Sequence, residues 1–261
     1  MIPALWICKT GLDSQQTNIS VTSNNLANAS TVGYKKSRAI FEDLLYQKVN
    51  QPGGRSTADA FLPEGLMIGA GSRVVATQKD FGQGDVETTD NTFDLLINGN
   101  GFFEIELPDG TTAYTRNGQF TKNDEGVIVT AEGYVLLPQI TIPEDATGIS
   151  ISIDGQVSVQ TAGQTQAQDL GQITVTNFIN PSGLEPIGNN LYLETAASGT
   201  PIQGIAGENG IGTIRQGMLE TSNVQVTEEL VNLIQAQRVY EMNSKVLTTV
   251  DTMMGSLIQS V

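Results

Sequence analysis

Positions 5, 8, 12, 15, 19, 22, 26 and 29 hold Leu5, Cys8, Leu12, Gln15, Ile19, Thr22, Leu26 and Ala29, mostly apolar or small, in alternating steps of four and three. The same rhythm returns near the other end at Leu230, Leu233, Gln237, Tyr240, Ser244, Leu247, Asp251, Met254 and Val261. Such spacing draws one narrow stripe along a helix, the pattern of a coiled-coil-like seam. Ser222 with Gln225 reads as a capping box, and Glu228 and Glu229 suit the positive end of a helix that starts beside them. A helix over about 226–257 would be roughly 48 Å long at 1.5 Å per residue. Both seams are polar for their length, and an isolated two-helix hairpin built on them would be weak. The expectation is that the two helices order only when many copies assemble.

Between them the pattern changes to strands and turns. Glu104–Leu107, Pro108-Asp109-Gly110 and Thr111–Thr115 form a hairpin in sequence. Ile151–Ile153, Asp154-Gly155 and Gln156–Val159 form a second, with a two-residue loop of type I′ composition. Alternating segments also run through 127–130, 134–137, 170–178 and 191–195. Turn residues at such short intervals favour an antiparallel sandwich or barrel over a parallel sheet. Pro52-Gly53-Gly54, Pro63-Glu64-Gly65 and Gly69-Ala70-Gly71 punctuate a stretch with little means of folding alone, read here as extended chain ordered by a neighbour. The fold class is therefore α+β: N- and C-terminal helices forming a coiled-coil-like terminal domain around a central antiparallel β-rich domain. The expected divisions are 1–33 (first helix), 34–72 (connector), 73–220 (β-domain) and 221–261 (second helix).

Composition narrows the chemistry. The chain has 261 residues, 13 Lys+Arg against 28 Asp+Glu, and a net charge of −15. So acidic a chain is repelled by phosphate backbones and anionic lipid, which argues against nucleic-acid or membrane-surface partners. No residue is histidine, so Ser-His-Asp, Cys-His and His-ligated metal chemistry are excluded. A single cysteine, Cys8, rules out an intramolecular disulfide and a cysteine zinc cluster. The first residues show neither a basic n-region nor a cleavable signal, and no run approaches the ~20 apolar residues of a membrane helix.

The motifs that remain have plain readings. Gly99-Asn100-Gly101 and Gly69-Ala70-Gly71 lack the following helix that a phosphate cradle needs, so they are tight turns. Residues 121–132 imitate a calcium loop through Asn123, Glu125, Gly126 and Glu132, but Thr121 replaces the leading carboxylate and strands flank it. Asn123–Gly126 is a hairpin turn. Paired carboxylates could cleave glycosides, yet the only tryptophan, Trp6, lies in a terminal helix rather than in the β region where a sugar platform belongs. Arg238 and Glu241 read as a surface pair.

The segment Asn24-Asn25-Leu26-Ala27-Asn28-Ala29-Ser30-Thr31-Val32-Gly33-Tyr34-Lys35 resembles the N-terminal signature of flagellar basal-body rod and hook proteins. Ser222-Asn223-Val224, Glu228-Glu229-Leu230 and the run from Gln237 and Arg238 through Tyr240 and Asn243 to Lys245 are similar to the matching C-terminal signature. Asn98–Phe103, Leu107–Gly110 and Tyr114-Thr115-Arg116-Asn117-Gly118 resemble the β-domain that family shares. Phe41–Gln47, Gln51-Pro52-Gly53 and Leu62-Pro63-Glu64-Gly65-Leu66 are similar to the extension of distal rod subunits.

The resemblance implies a mechanical role. Subunits would stack helically into a rigid hollow shaft that carries torque to the hook, with terminal helices around an export channel and the β-domain outside. The self-assembly seam would be Leu5, Cys8, Leu12, Ile19, Leu26, Leu230, Leu233, Tyr240, Leu247 and Met254. Shaft stiffness would come from the segment holding Tyr46, Gln51, Pro52, Gly53, Leu62, Pro63, Gly65 and Leu66. Implied partners are further copies of the chain, proximal rod proteins, hook protein, the peptidoglycan-ring and outer-membrane-ring proteins, the rod cap and the flagellar type III export apparatus. No cofactor and no enzymatic activity are implied. The implied location is the distal rod across the periplasm, reached without a cleaved signal. Rival readings are a proximal rod or hook subunit, a carboxylate-dependent peptidoglycan hydrolase, and a monomeric adhesin.

Overall fold

A computed structural model of the chain describes residues 2–50, 64–161 and 166–259. Two compact units divide it: residues 1–27, 37–79 and 225–261 make a helical unit, and 28–36 with 80–224 make a β unit. The expected division differs from this at every junction, since 28–36 and 221–224 group with the β unit and 73–79 with the helices.

In the helical unit, α1 (Ile2–Ala27) and α2 (Val226–Gln259) lie side by side. They run antiparallel: Asn25 meets Glu229, and Gly11 meets Asn243 a few turns further along. At Gly11 a Cβ would stand 3.0 Å from the Asn243 amide nitrogen, so the bare backbone lets the polar side chain reach the helix. Helix α2 starts later than a Ser222 cap would place it. Gln225 offers its carbonyl to the Glu229 N–H, while the Ser222 hydroxyl accepts the Val224 N–H in a local turn within the β unit. Glu228 and Glu229 do occupy the first turn of α2.

The described part of the 34–72 connector, expected as extended chain, forms a paired ribbon with the residues that follow it. Strands β1 (Ser37–Asp43) and β4 (Ser72–Lys79) pair antiparallel, with β2 (Gln47–Lys48) and β3 (Met67–Ile68) continuing the ribbon outward. Its ordering neighbours are its own second arm and α1, where the Ser14 and Ser72 hydroxyls sit 3.2 Å apart. Gln51, Pro52, Gly53, Leu62 and Pro63 of the candidate stiffness segment, and Val261 of the second stripe, lie outside the described residues.

The β unit holds β5 (Val86–Thr88), β6 (Leu95–Asn98), β7 (Phe102–Glu106), β8 (Thr112–Thr115), β9 (Phe120–Lys122), β10 (Ile128–Thr130), β11 (Val135–Leu137) and β12 (Ala146–Ile151). It continues with β13 (Gln156–Thr161), β14 (Gln168–Gln172), β15 (Thr174–Asn177), β16 (Glu185–Gly188), β17 (Leu191–Leu193), β18 (Ile202–Ile205), β19 (Thr213–Gln216) and β20 (Met218–Glu220). The main sheet runs β16-β17-β8-β7-β11-β10-β9, with β15 also on β7 and carrying β18; its pairings are antiparallel. The hairpin β7–β8 forms as the sequence predicts. The second hairpin, β12–β13, turns through Ser152–Gly155 rather than a two-residue loop, closed by the Gly155 N–H on the Ser152 carbonyl. Asn123–Gly126 is the turn between β9 and β10, where the Asn123 side-chain oxygen accepts the Glu125 and Val127 N–H groups.

Strand β7 is covered on both faces, which is why Phe102-Phe103-Glu104-Ile105 does not alternate apolar with polar. Phe103 and Ile105 enter the core with Leu95, Ile97, Phe120, Ile128, Val157, Val175 and Ile214. Phe102 joins Tyr114, Phe178, Leu184 and Tyr192 in a second cluster, with rings meeting edge to face.

Candidate functional site

The described part of the helical unit has almost no apolar interior. Among its described residues the buried apolar side chains are Cys8 and Ala236, alongside buried Ser14, Thr22, Asn25 and Glu229. A cleft of about 340 Å³ opens between α1, α2 and β1, lined by Gln15, Asn18, Thr22, Asn25, Asn232 and Gln235 among others. The same unit exposes Trp6, Phe41, Leu45, Tyr46, Leu66 and Met67, and along α2 a further series from Val226 to Met253. Leu45 is 92% exposed. A fully buried side chain of this size gains about 1.5–3 kcal/mol over an exposed one, so much stabilisation is left unused within one chain.

The two seams fare differently. On α1, Cys8 is buried and Leu5, Leu12, Ile19 and Leu26 are half-buried. On α2 the covered stripe is Glu229, Leu233, Ala236, Val239, Asn243, Leu247, Val250 and Met254. Leu233, Leu247 and Met254 of the sequence-derived seam belong to it; Leu230 and Tyr240 face outward, 41% and 39% exposed. Two apolar rows remain open on α2. Val226, Leu230 and Ile234 lie on one side, and Met242, Val246 and Met253 on another.

The signature residues do distinct jobs. Asn25 is buried and imitates a strand: its amide donates to the Ser37 carbonyl at 2.8 Å and its oxygen accepts the Ser37 N–H at 2.9 Å. That side chain also donates to Glu229 at 3.4 Å, which joins α1, β1 and α2 at one point. Asn24 and Ala27 are exposed, as are Gln237 and Arg238. In the β unit, Asn28 accepts the Thr31 hydroxyl at 3.2 Å, and Asn223 accepts the Lys36 N–H at 2.8 Å while donating to the Asp80 carbonyl at 2.9 Å. Gly33 has φ +71°, and a Cβ there would lie 2.7 Å from the Asn117 nitrogen, so the tight passage of the chain requires glycine. Of the stiffness segment, Tyr46 and Leu66 are exposed apolar side chains on the ribbon; Gly65 is half-buried, and the Leu66 carbonyl accepts the Val49 N–H at 2.9 Å.

A second feature, inside the β unit, had no forecast. Lys35, Arg116 and Glu220 are all buried and meet as two cations on one carboxylate. The Lys35 ammonium donates to Glu220 Oε1 at 2.6 Å and to the Gly82 carbonyl at 2.7 Å. Arg116 donates to Glu220 Oε2 at 3.0 Å and to the carbonyls of Gly99 and Gly101 at 2.8 and 2.6 Å. The Gly84 N–H completes the carboxylate's shell at 2.9 Å. Burial pulls the Lys35 pKa below the ordinary lysine value, against the opposing pull of Glu220. Lys35 closes the N-terminal signature, Arg116 sits in the central one, and Glu220 stands just before the C-terminal one. The triad therefore fastens three distant motifs to one another.

Comparison with known proteins agrees with this assignment of motifs. Three family models match: a flagella basal body rod protein segment over residues 9–35, the flagellar hook protein FlgE/F/G D1 domain over 96–159, and the flagellar basal body rod FlgEFG protein C-terminal region over 215–260. The flagellar basal-body rod protein FlgG of Buchnera aphidicola (subspecies Schizaphis graminum) is 54% identical over 99% of this chain and 100% of its own length. FlgG of Borreliella burgdorferi is 47% identical over 98% of this chain and 97% of its own. FlgG of Bacillus subtilis is 39% identical, covering 99% and 98%. With full-length likeness of this depth, and with the signature residues placed where they fasten the fold, the chain belongs to the flagellar basal-body rod protein FlgG family, a family of structural subunits of the flagellar rod.

Proposed function

We propose that copies of this chain polymerise helically through their helical units into the rigid hollow distal section of the rod, a drive shaft that carries torque to the hook and encloses an export channel. The observation that carries this reading is the near-absence of buried apolar side chains among the described residues of a unit that exposes so many. Two long helices with a polar shared seam gain little from each other. Copies of the same unit supply the missing apolar surface at no cost in new chemistry. The partners expected on this reading are the proximal rod and hook subunits at the ends, the two ring proteins around the shaft, the rod cap, and the type III export apparatus. Division of labour follows: the terminal helical domain assembles, and the β-domain gives each copy an independently stable body.

Leu230→Asp and Val246→Asp test it, one on each open row of α2. Both side chains are exposed in the single chain, so each variant should unfold within about 0.5 kcal/mol of the parent. Each should nevertheless fail to form the sedimenting tubes that the parent forms, and should leave cells without an extended rod. Normal tubes from both variants would refute the reading.

A further inference from the structure

Charge is divided between the two units far more unevenly than length. The β unit contains 19 acidic and 5 basic residues, a net −14, whereas the helical unit contains 9 and 8, a net −1. Burial removes three acids, Asp94, Glu104 and Glu220, and two bases from that count, so 16 acidic and 3 basic residues, a net −13, remain outside the β-unit interior. Lys35 and Arg116 are buried and engaged by Glu220, which leaves Lys36, Lys122 and Arg215 as its remaining basic residues. Exposed large apolar side chains show the opposite bias, gathering mostly on the helical unit. Each copy thus carries a nearly neutral, apolar body suited to contact with a second copy, and a strongly anionic body unsuited to it.

These two influences differ in range. Apolar contact acts only where surfaces touch and does not need salt. Repulsion between like-charged bodies reaches about 30 Å at 0.01 M ionic strength, the diameter of a small domain, but about 8 Å at 0.15 M. It also grows with every neighbour that a lattice adds. We infer that the anionic β unit is an electrostatic brake on self-association, so that a second copy docks through the helical unit only above a threshold ionic strength. The inference rests on the proposed self-assembly through the helices, and it adds the condition under which assembly proceeds. A subunit held apart by its own charge at low ionic strength stays dispersed until screening lets the short-range contacts win.

The test measures the critical concentration for polymer formation by light scattering and sedimentation of the full chain at 0.01 M and 0.3 M NaCl. It should fall at least about tenfold at the higher salt. The quadruple variant Asp124→Asn, Glu125→Gln, Glu144→Gln, Asp145→Asn removes four exposed charges from the β unit. That variant should assemble at 0.01 M about tenfold more readily than the parent, with a flatter dependence on salt. Equal critical concentrations for the parent at both salts would overturn the brake while leaving self-assembly intact. An unchanged salt dependence in the variant would overturn its assignment to the β unit. Absence of polymer from both proteins at every salt would overturn the self-assembly reading itself.

Discussion

Glu220 holds together charges from three parts of the chain, and its loss should be felt far beyond one contact. Glu220→Gln leaves Lys35 and Arg116 buried without the carboxylate that pairs them, a change that typically costs about 3–5 kcal/mol. Lys35→Met leaves the Arg116–Glu220 pair balanced and should cost less, roughly 1–2 kcal/mol. Denaturant unfolding of the β unit would rank the two, and equal costs would contradict the arrangement. A second residue-scale prediction concerns Tyr114 and Tyr192. Burial first, then Glu104 and Glu194, pushes the Tyr114 hydroxyl up to about 12, and burial raises Tyr192 as well. A tyrosine that ionises near 10 when unfolded but later when folded stabilises the fold below pH 10 and withdraws that contribution as pH rises toward 12. Thermal unfolding should therefore show alkaline loss of stability, diminished in Tyr114→Phe with Tyr192→Phe. Little of this was legible beforehand. Lys35 and Arg116 stood within recognisable motifs, but 185 positions separate Lys35 from Glu220, and no local pattern marks one acid among 28 as the buried one. Asn25 was visible as a signature residue; its work, closing the edge of Ser37, required the fold.

Among elements, the helices and the β7–β8 hairpin could be read directly, because periodicity and turn residues are local. The covered side of α2 could be read only in part. A search for apolar residues picks Leu230 and Tyr240, whereas the inward positions nearby are Glu229, Val239 and Asn243, two of them polar. Hydrogen bonding to Asn25 and close approach to Gly11 make those polar positions interior, and hydrophobicity does not register them. The ribbon escaped the sequence for a different reason: its strands pair across a long insertion, and its outer ends are the short β2 and β3. Its exposed Leu45, Tyr46, Leu66 and Met67 suit contact with neighbouring copies. Deletion of residues 46–66 should therefore leave the β unit folded and assembly possible, but give shafts with a markedly shorter persistence length in electron micrographs. Straight, stiff shafts from that variant would remove the segment from any role in rigidity.

At the scale of the molecule, the two units solve opposite problems. One buries two full-sized apolar clusters and a charged triad. The other displays its apolar surface and keeps a polar, incompletely filled seam. That contrast follows from the sequence once the unit boundaries are known, but the terminal stripes alone concealed how little apolar area they bury in a single chain. Its thermodynamic consequence is a large difference in local stability, with the helices at the low end until copies meet. Amide hydrogen exchange, followed residue by residue on dilute monomer and on assembled tubes, measures this most directly. Fast exchange is expected across 2–27 and 226–259 in the monomer, with strong protection of both in the tube and of the β core in each. Helices as well protected in the solitary chain as in the tube would contradict it.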